Sequence, residues 1–156
     1  MTRKVWGLLG IALAVAAPAA AAEPGVAWRR DYAAARQEAA ATNRPLLLYF
    51  ATTNCPWCSK MQAGPLRDPA VVAALNGDFV PLKVEGDLLP YLAGALHIDG
   101  FPTTVLASPE GRVLDVLPGY RDAAAVLDHL RRTADAVAAG RPRGGIQPAS
   151  WHEPGR

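Results

Sequence analysis

The chain has 156 residues, a formal net charge of +2 and a hydrophobic fraction of 51%. That size and balance suit one compact domain. A charge so near zero, with its basic residues scattered along the chain, excludes the electrostatic footprint of a nucleic-acid binder.

The opening stretch MTRKVWGLLGIALAVAAPAAAAEPG has the three-part layout of an export signal. Arg3 and Lys4 form the charged start, an apolar run follows from Val5 to Ala17, and Ala20-Ala21-Ala22 fits the A-x-A cleavage rule. We place residues 1–22 in a signal peptide, cleaved before Glu23. The alternative is an uncleaved anchor, but Pro18 interrupts the run, and the run falls short of the about 20 strongly apolar residues that span a bilayer. No cysteine near the cleavage site can carry a lipid. The mature chain is therefore expected to be soluble, in the periplasm.

From Trp28 to Thr42 the segment WRRDYAAARQEAAAT places Trp28, Tyr32, Ala35 and Ala39 three or four apart, which predicts an amphipathic helix. Asn43 and Pro45 end it. PLLLYFAT follows as a continuous apolar run bounded by turn formers, as in a central strand buried on both faces.

Directly after that run comes NCPWCSKM, Asn54 to Met61, which holds both cysteines of the chain. An oxidising compartment lets disulfides persist, so the pair has three readings: a staple, a metal clip or a reactive dithiol. A disulfide stabilises largely by restricting the unfolded chain, and closing a C-x-x-C loop restricts almost nothing. A closed zinc site needs four ligands, usually a second Cys or His pair at short spacing. His97, His129 and His152 are isolated from one another, and no histidine follows Cys58 to signal haem attachment. The third reading depends on the surroundings. Pro56 suits the first turn of a helix, where its missing N–H costs nothing, so Cys55 falls at or beside the cap.

Beyond the motif, DPAVVAAL reads as a short helix started by Asp68 and Pro69. FVPLKVE alternates like a strand, although Pro81 would weaken it in the centre of a sheet. LLPYLAGALHI predicts a short helix before Asp99-Gly100. TTVLAS and RVLDVLP, joined by the compact turn PEG, predict an antiparallel hairpin. Ala123, Val126, Leu127, Leu130, Ala134 and Val137 repeat at helical spacing in a long terminal helix. The expected order is helix, strand, helix, strand, helix, strand, strand, helix. The tail GRPRGGIQPASWHEPGR is rich in Gly, Pro and Arg without periodicity and reads as disordered over 141–156.

With these elements in order, residues Trp28 to Ala139 resemble the thioredoxin-like superfamily. The resemblance is carried by LLLYFATTNCPWC, by GFPTTV some forty residues on, and by the hairpin and last helix. ATTNCPWCSKM with DPAVVAALNGDFVPLKVEGD is closer to exported thioredoxin-like proteins than to cytosolic thioredoxin. The resemblance implies an α/β thioredoxin-like fold over 23–140, with a central mixed sheet of about four strands flanked by helices. It also implies that Cys55 attacks and Cys58 resolves, and that Pro102 is the family's cis-proline facing the dithiol. Phe101 would then present its backbone to an extended substrate. Trp57 is read as a ligand-facing aromatic, since aromatics suit recognition surfaces; the plain alternative is a helix residue covering the dithiol. A cysteine at a helix N-terminus meets unpaired N–H groups and the positive end of the helix dipole, which independently favours the thiolate of Cys55.

Two departures from the family pattern bear on mechanism. Six residues before the first cysteine, where cytosolic thioredoxin has a buried aspartate, stands Tyr49, a poor base at neutral pH. Water, or a carboxylate such as Glu85, would have to handle the proton. The Pro-Trp pair between the cysteines comes closer to glutaredoxin than to the Gly-Pro of thioredoxin, and it lacks the histidine of strongly oxidising members.

The expectation is an exported, monomeric protein-disulfide oxidoreductase without cofactor or metal, acting on disulfide-containing exported proteins. It is expected to reduce rather than oxidise, and so to need a membrane electron donor. The alternatives are an oxidase or isomerase, and a non-enzymatic module that binds a peptide or a soft metal such as Cu(I) through two thiolates.

Overall fold

The computed structural model describes residues 25–86 and 90–140. The expected signal peptide, the expected tail and residues 87–89 lie outside the described residues, so the helix expected from Leu88 is seen only from Pro90.

Six consecutive residues of the apolar run form β1 (Leu46–Ala51), and all of them are buried. Such burial requires covering on both faces and both edges. β1 accordingly lies inside a four-stranded sheet in the order β2-β1-β3-β4, with β2 (Val80–Glu85), β3 (Thr103–Ala107) and β4 (Val113–Pro118). β2 runs parallel to β1, pairing Leu46 with Val80 and Ala51 with Glu85. β3 runs antiparallel to β1, and β4 antiparallel to β3. The sheet is mixed, as a crossover followed by a hairpin demands.

Side chains alternate between the two faces of a strand. Leu46, Leu48 and Phe50 point into a layer with Leu82 and Val84, covered by Ala35 and Ala39 of α1 (Tyr32–Thr42) and Leu92 of α4 (Pro90–Ala95). Leu47, Tyr49 and Ala51 point the other way. There they meet Cys58 and Met61 of α2 (Pro56–Ala63), Val71 and Leu75 of α3 (Pro69–Asp78), and Val126 and Leu130 of α5 (Ala123–Ala138). The polar ends are capped: Asp31, Asp68 and Asp122 each accept backbone N–H groups at the starts of α1, α3 and α5, replacing partners that a helix start lacks.

The structure corrects the expected start of the first helix. Residues 28–30 are extended rather than helical, because the Arg29 N–H donates to the Pro81 carbonyl (2.8 Å) and the Arg29 carbonyl accepts from the Lys83 N–H (3.0 Å). The segment thus wraps the outer edge of β2, and α1 begins only at Tyr32. The same contact accounts for Pro81. β2 is an outer strand, and Pro81 has the parity of Lys83, so its missing N–H lies on the side away from β1, where no ladder bond to β1 is lost. At the opposite side of the sheet, the Val116 N–H of β4 is taken by the Oδ1 of its own neighbour Asp115 (2.9 Å). The helix expected after Cys55 and the one expected from Asp68-Pro69 both form, as α2 and α3, joined by a 3-10 turn at Pro65–Arg67; the expected element order counts one helix there.

Candidate active site

β1 delivers the chain to the end of the sheet, where Asn54 leads into the cysteine motif. Cys55 is the N-cap of α2, with extended backbone (φ −114°, ψ 101°), and Pro56 occupies the first turn. The sulfur takes the place that a cap oxygen usually fills: Cys55 Sγ accepts from the Cys58 N–H at 3.0 Å. The two cysteines are joined in a disulfide, Cα to Cα 5.2 Å. Their exposures differ. Cys55 is partly exposed, whereas Cys58 is 1% exposed and lies in the core layer.

Beneath Cys58 stands Tyr49. Its hydroxyl donates to the Cys58 carbonyl (3.2 Å), which also accepts from Gln62 Nε2 (3.3 Å). The ring of Trp28 packs on that of Tyr49 at 5.7 Å between centroids. Burial above all pushes the Tyr49 phenol up to about 12; the Gln62 hydrogen bond works against this, and the charge of Glu85 adds to it. Tyr49 therefore stays protonated throughout the physiological range and acts as a donor, not a base. Glu85 shares Tyr49's face of the sheet, and its carboxylate is paired with Lys83 (3.0 Å) and Arg30 (3.9 Å).

The Phe101–Pro102 peptide bond is cis. The Pro102 carbonyl accepts from the Gly119 N–H at 2.7 Å, which ties the entry of β3 to the loop that carries Tyr120. Phe101 packs against both core layers. Its ring lies so close to Gly86 that a Cβ there would stand 2.6 Å from Cε1 and Cζ. Among the described residues, the backbone N–H and C=O of Phe101 have no hydrogen-bond partner.

Trp57 is 54% exposed. Its ring stands 5.8 Å from that of Tyr120, and the ammonium of Lys60 lies over both, 4.8 Å from one centroid and 4.7 Å from the other.

A family model for the thioredoxin-like domain matches residues 32–134, about two thirds of the chain. The chain belongs to the thioredoxin-like family. A thioredoxin from Thermus thermophilus is 30% identical, with a TM-score of 0.68 over 75% of this chain and 93% of that one. A structure described as DsbH oxidoreductase (23% identity, TM-score 0.61, 81% of this chain and 94% of that one) shares the fold. So does the oxidised C-terminal domain of DsbD from Neisseria meningitidis (21%, 0.55, 69% and 99%). A comparison with curated proteins returns no match.

In this thioredoxin-like domain the C-x-x-C pair stands at bonding distance at a helix start, the arrangement of a thiol–disulfide oxidoreductase. The described site places Cys55, Trp57 and Cys58 on one helical turn and ties Pro102 to the Tyr120 loop. Of the histidines, His97 is an exposed residue that follows α4, His129 is engaged with Asp115 and Arg132, and His152 lies outside the described residues. Lys60, Gln62, Gly86 and Tyr120 were not visible as site residues in the sequence. Lys60 alone carried a signal, its i,i+3 spacing from Trp57.

Proposed function

We propose that the protein is an exported protein-disulfide reductase, in which Cys55 attacks and Cys58 resolves. The observation that carries this reading is the contrast within the pair: a partly exposed cysteine at a helix cap, its sulfur accepting a backbone N–H, beside a buried one.

On reduction, the Cys58 N–H and the helix dipole favour the thiolate of Cys55. That thiolate attacks one sulfur of a substrate disulfide. The Cys55–substrate bond forms, the substrate S–S bond breaks, and the departing sulfur leaves as a thiolate that takes a proton from water. Cys58, one turn along, loses its proton and attacks Cys55 Sγ, re-forming the intramolecular disulfide and releasing the second substrate thiol. The substrate gains two electrons and the protein loses two. A membrane donor presenting a dithiol would restore them, since an oxidising compartment does not. The backbone of Phe101, without a partner among the described residues, offers an extended substrate segment a donor and an acceptor, and Trp57 offers it an apolar ring. Tyr49 holds the Cys58 carbonyl in place and takes no proton. Glu85, on the same face, is the carboxylate positioned nearest in the sheet register to that role.

Trapping tests the assignment. Cys58→Ser should accumulate mixed disulfides with exported proteins through Cys55, and Cys55→Ser should not; adducts found only through Cys58 would reverse the roles. The reducing direction is tested by the reduction potential of the pair. A value near thioredoxin's (about −270 mV) supports it, and one near that of the strong oxidants of the fold (about −120 mV) overturns it.

A further inference from the structure

Lys60 is an exposed cation beside the dithiol, and among the described residues it has no carboxylate partner. A free lysine side chain usually loses considerable rotamer freedom when it pairs with a charge. Here much of that ordering is already in place, because two aromatic rings hold the ammonium at 4.8 and 4.7 Å, within the range where ring faces attract a cation. Neither ring neutralises the charge, and among the described residues no oxygen accepts from the ammonium. One of the rings belongs to Trp57, between the two cysteines, so the cation stands on the helical turn that follows the reactive pair. Arg121 adds a second positive group on the same loop as Tyr120, where its Nη1 donates to the Tyr120 carbonyl (3.2 Å). The acid beside Arg121 in sequence, Asp122, has its carboxylate engaged in capping α5 (2.8 Å to the Ala125 N–H).

We propose that Lys60 is a specificity-determining residue, which reads an acidic side chain next to the cystine of the protein segment that the dithiol reduces. The occupant of this surface is an extended segment with an apolar group against Trp57 and an Asp or Glu reaching Lys60. The charge of the surface selects that chemistry, and the rings fix where the carboxylate must sit. The inference rests on the reductase reading and deepens it.

The test uses the full mature protein, reduced beforehand, with three disulfide peptides of equal length whose cystine is flanked by Glu, Gln or Lys, and with the small neutral disulfide of 2-mercaptoethanol. The wild type should reduce the Glu peptide about 1.5- to fivefold faster than the Gln peptide at low salt, the size expected of one exposed ion pair. The Lys peptide should be slowest. The preference should fade toward 1 M salt, where screening shortens to about 3 Å. Lys60→Gln should bring the Glu-to-Gln ratio to about one, Lys60→Glu should invert it, and Lys60→Arg should keep it. Equal rates for the Glu and Gln peptides in the wild type would overturn the proposal. So would a Lys60→Gln protein that slows all three peptides alike, since that pattern means Lys60 only braces Trp57. If the wild type also fails to reduce the small neutral disulfide, the reductase reading itself falls and takes this inference with it.

Discussion

The two faces of β1 are made by alternate residues of one six-residue run, yet they do different work. Leu46, Leu48 and Phe50 enter a layer of aliphatic and aromatic side chains in which the buried hydroxyl of Thr103, opposite Phe50, donates to the Gly100 carbonyl (2.8 Å). Leu47, Tyr49 and Ala51 enter a layer that also holds Cys58, the Tyr49 hydroxyl and the hydroxyl of Thr104. Thr104 Oγ1 is buried without a hydrogen-bond partner among the described residues, a state that ordinarily costs stability. Both faces are packed by apolar side chains, and the face of Tyr49 also supports the dithiol. The support of the dithiol thus lies a single residue step along β1 from side chains that only pack.

The harshest test of that separation is Phe50→Ala. It empties a fully buried site on the face away from the dithiol and should cost about 3–5 kcal/mol in denaturant unfolding. In the protein that remains folded, the ratio of Cys55 to Cys58 alkylation rates should not change. A shifted ratio would mean that the two faces are coupled through the strand.

Alkaline titration probes the other face. The Tyr49 phenol is raised from 10.0 to about 12 in the folded protein. The unfolded chain gives up that proton first, so the stabilisation is fully present below pH 10 and is lost as pH rises through 12. The loss is on the order of 2–3 kcal/mol. Tyr49→Phe should unfold across this window without that component, and an identical alkaline profile for the two proteins would show that Tyr49 is not the group concerned.

Gly86→Ala strikes the residue that both faces share, because it pushes on the ring of Phe101. Overpacking there should cost about 1–3 kcal/mol. It should also slow reduction of a disulfide peptide more than that of a small disulfide, since the backbone of Phe101 moves with its ring. Equal slowing would separate Phe101 from substrate docking.

The smallest effect belongs to Tyr49→Phe at neutral pH. One of the two hydrogen bonds to the Cys58 carbonyl is lost and Gln62 keeps the other, so thermal unfolding should report a cost of about 1 kcal/mol.

What could be read from the sequence divides along similar lines. The apolar run of β1, the proline after Cys55, the Asp68-Pro69 start and the period of α5 are local signals, and each matched its element. The early start predicted at Trp28 failed because a contact with β2, some fifty residues away, holds residues 28–30 extended against the helical pattern. The resemblance supplied the place of the cis-proline, which no local pattern marks. The substitution of tyrosine for the family's acid was legible at once. Its role as donor to the Cys58 carbonyl was not, because that depends on how deeply β1 is buried and on which way α2 lies across it. The approach of Gly86 to Phe101 and of Lys60 to Tyr120 joins segments far apart in the chain, and periodicity carries no record of such pairs.

The outer strands have a consequence for how this protein behaves in a crowd. An open strand edge is a template on which a second chain can add and begin an aggregate. Here the outer side of β2 is already occupied by Arg29, and Pro81 has no N–H to offer. On β4, Asp115 occupies the N–H of Val116, and Pro118, of the same parity, has none. Stray polypeptide finds little to copy along either flank. Concentrated protein should therefore resist stacking edge to edge, and the extended chains it meets are left to the end of the sheet, where a sulfur rather than a backbone ladder makes the bond.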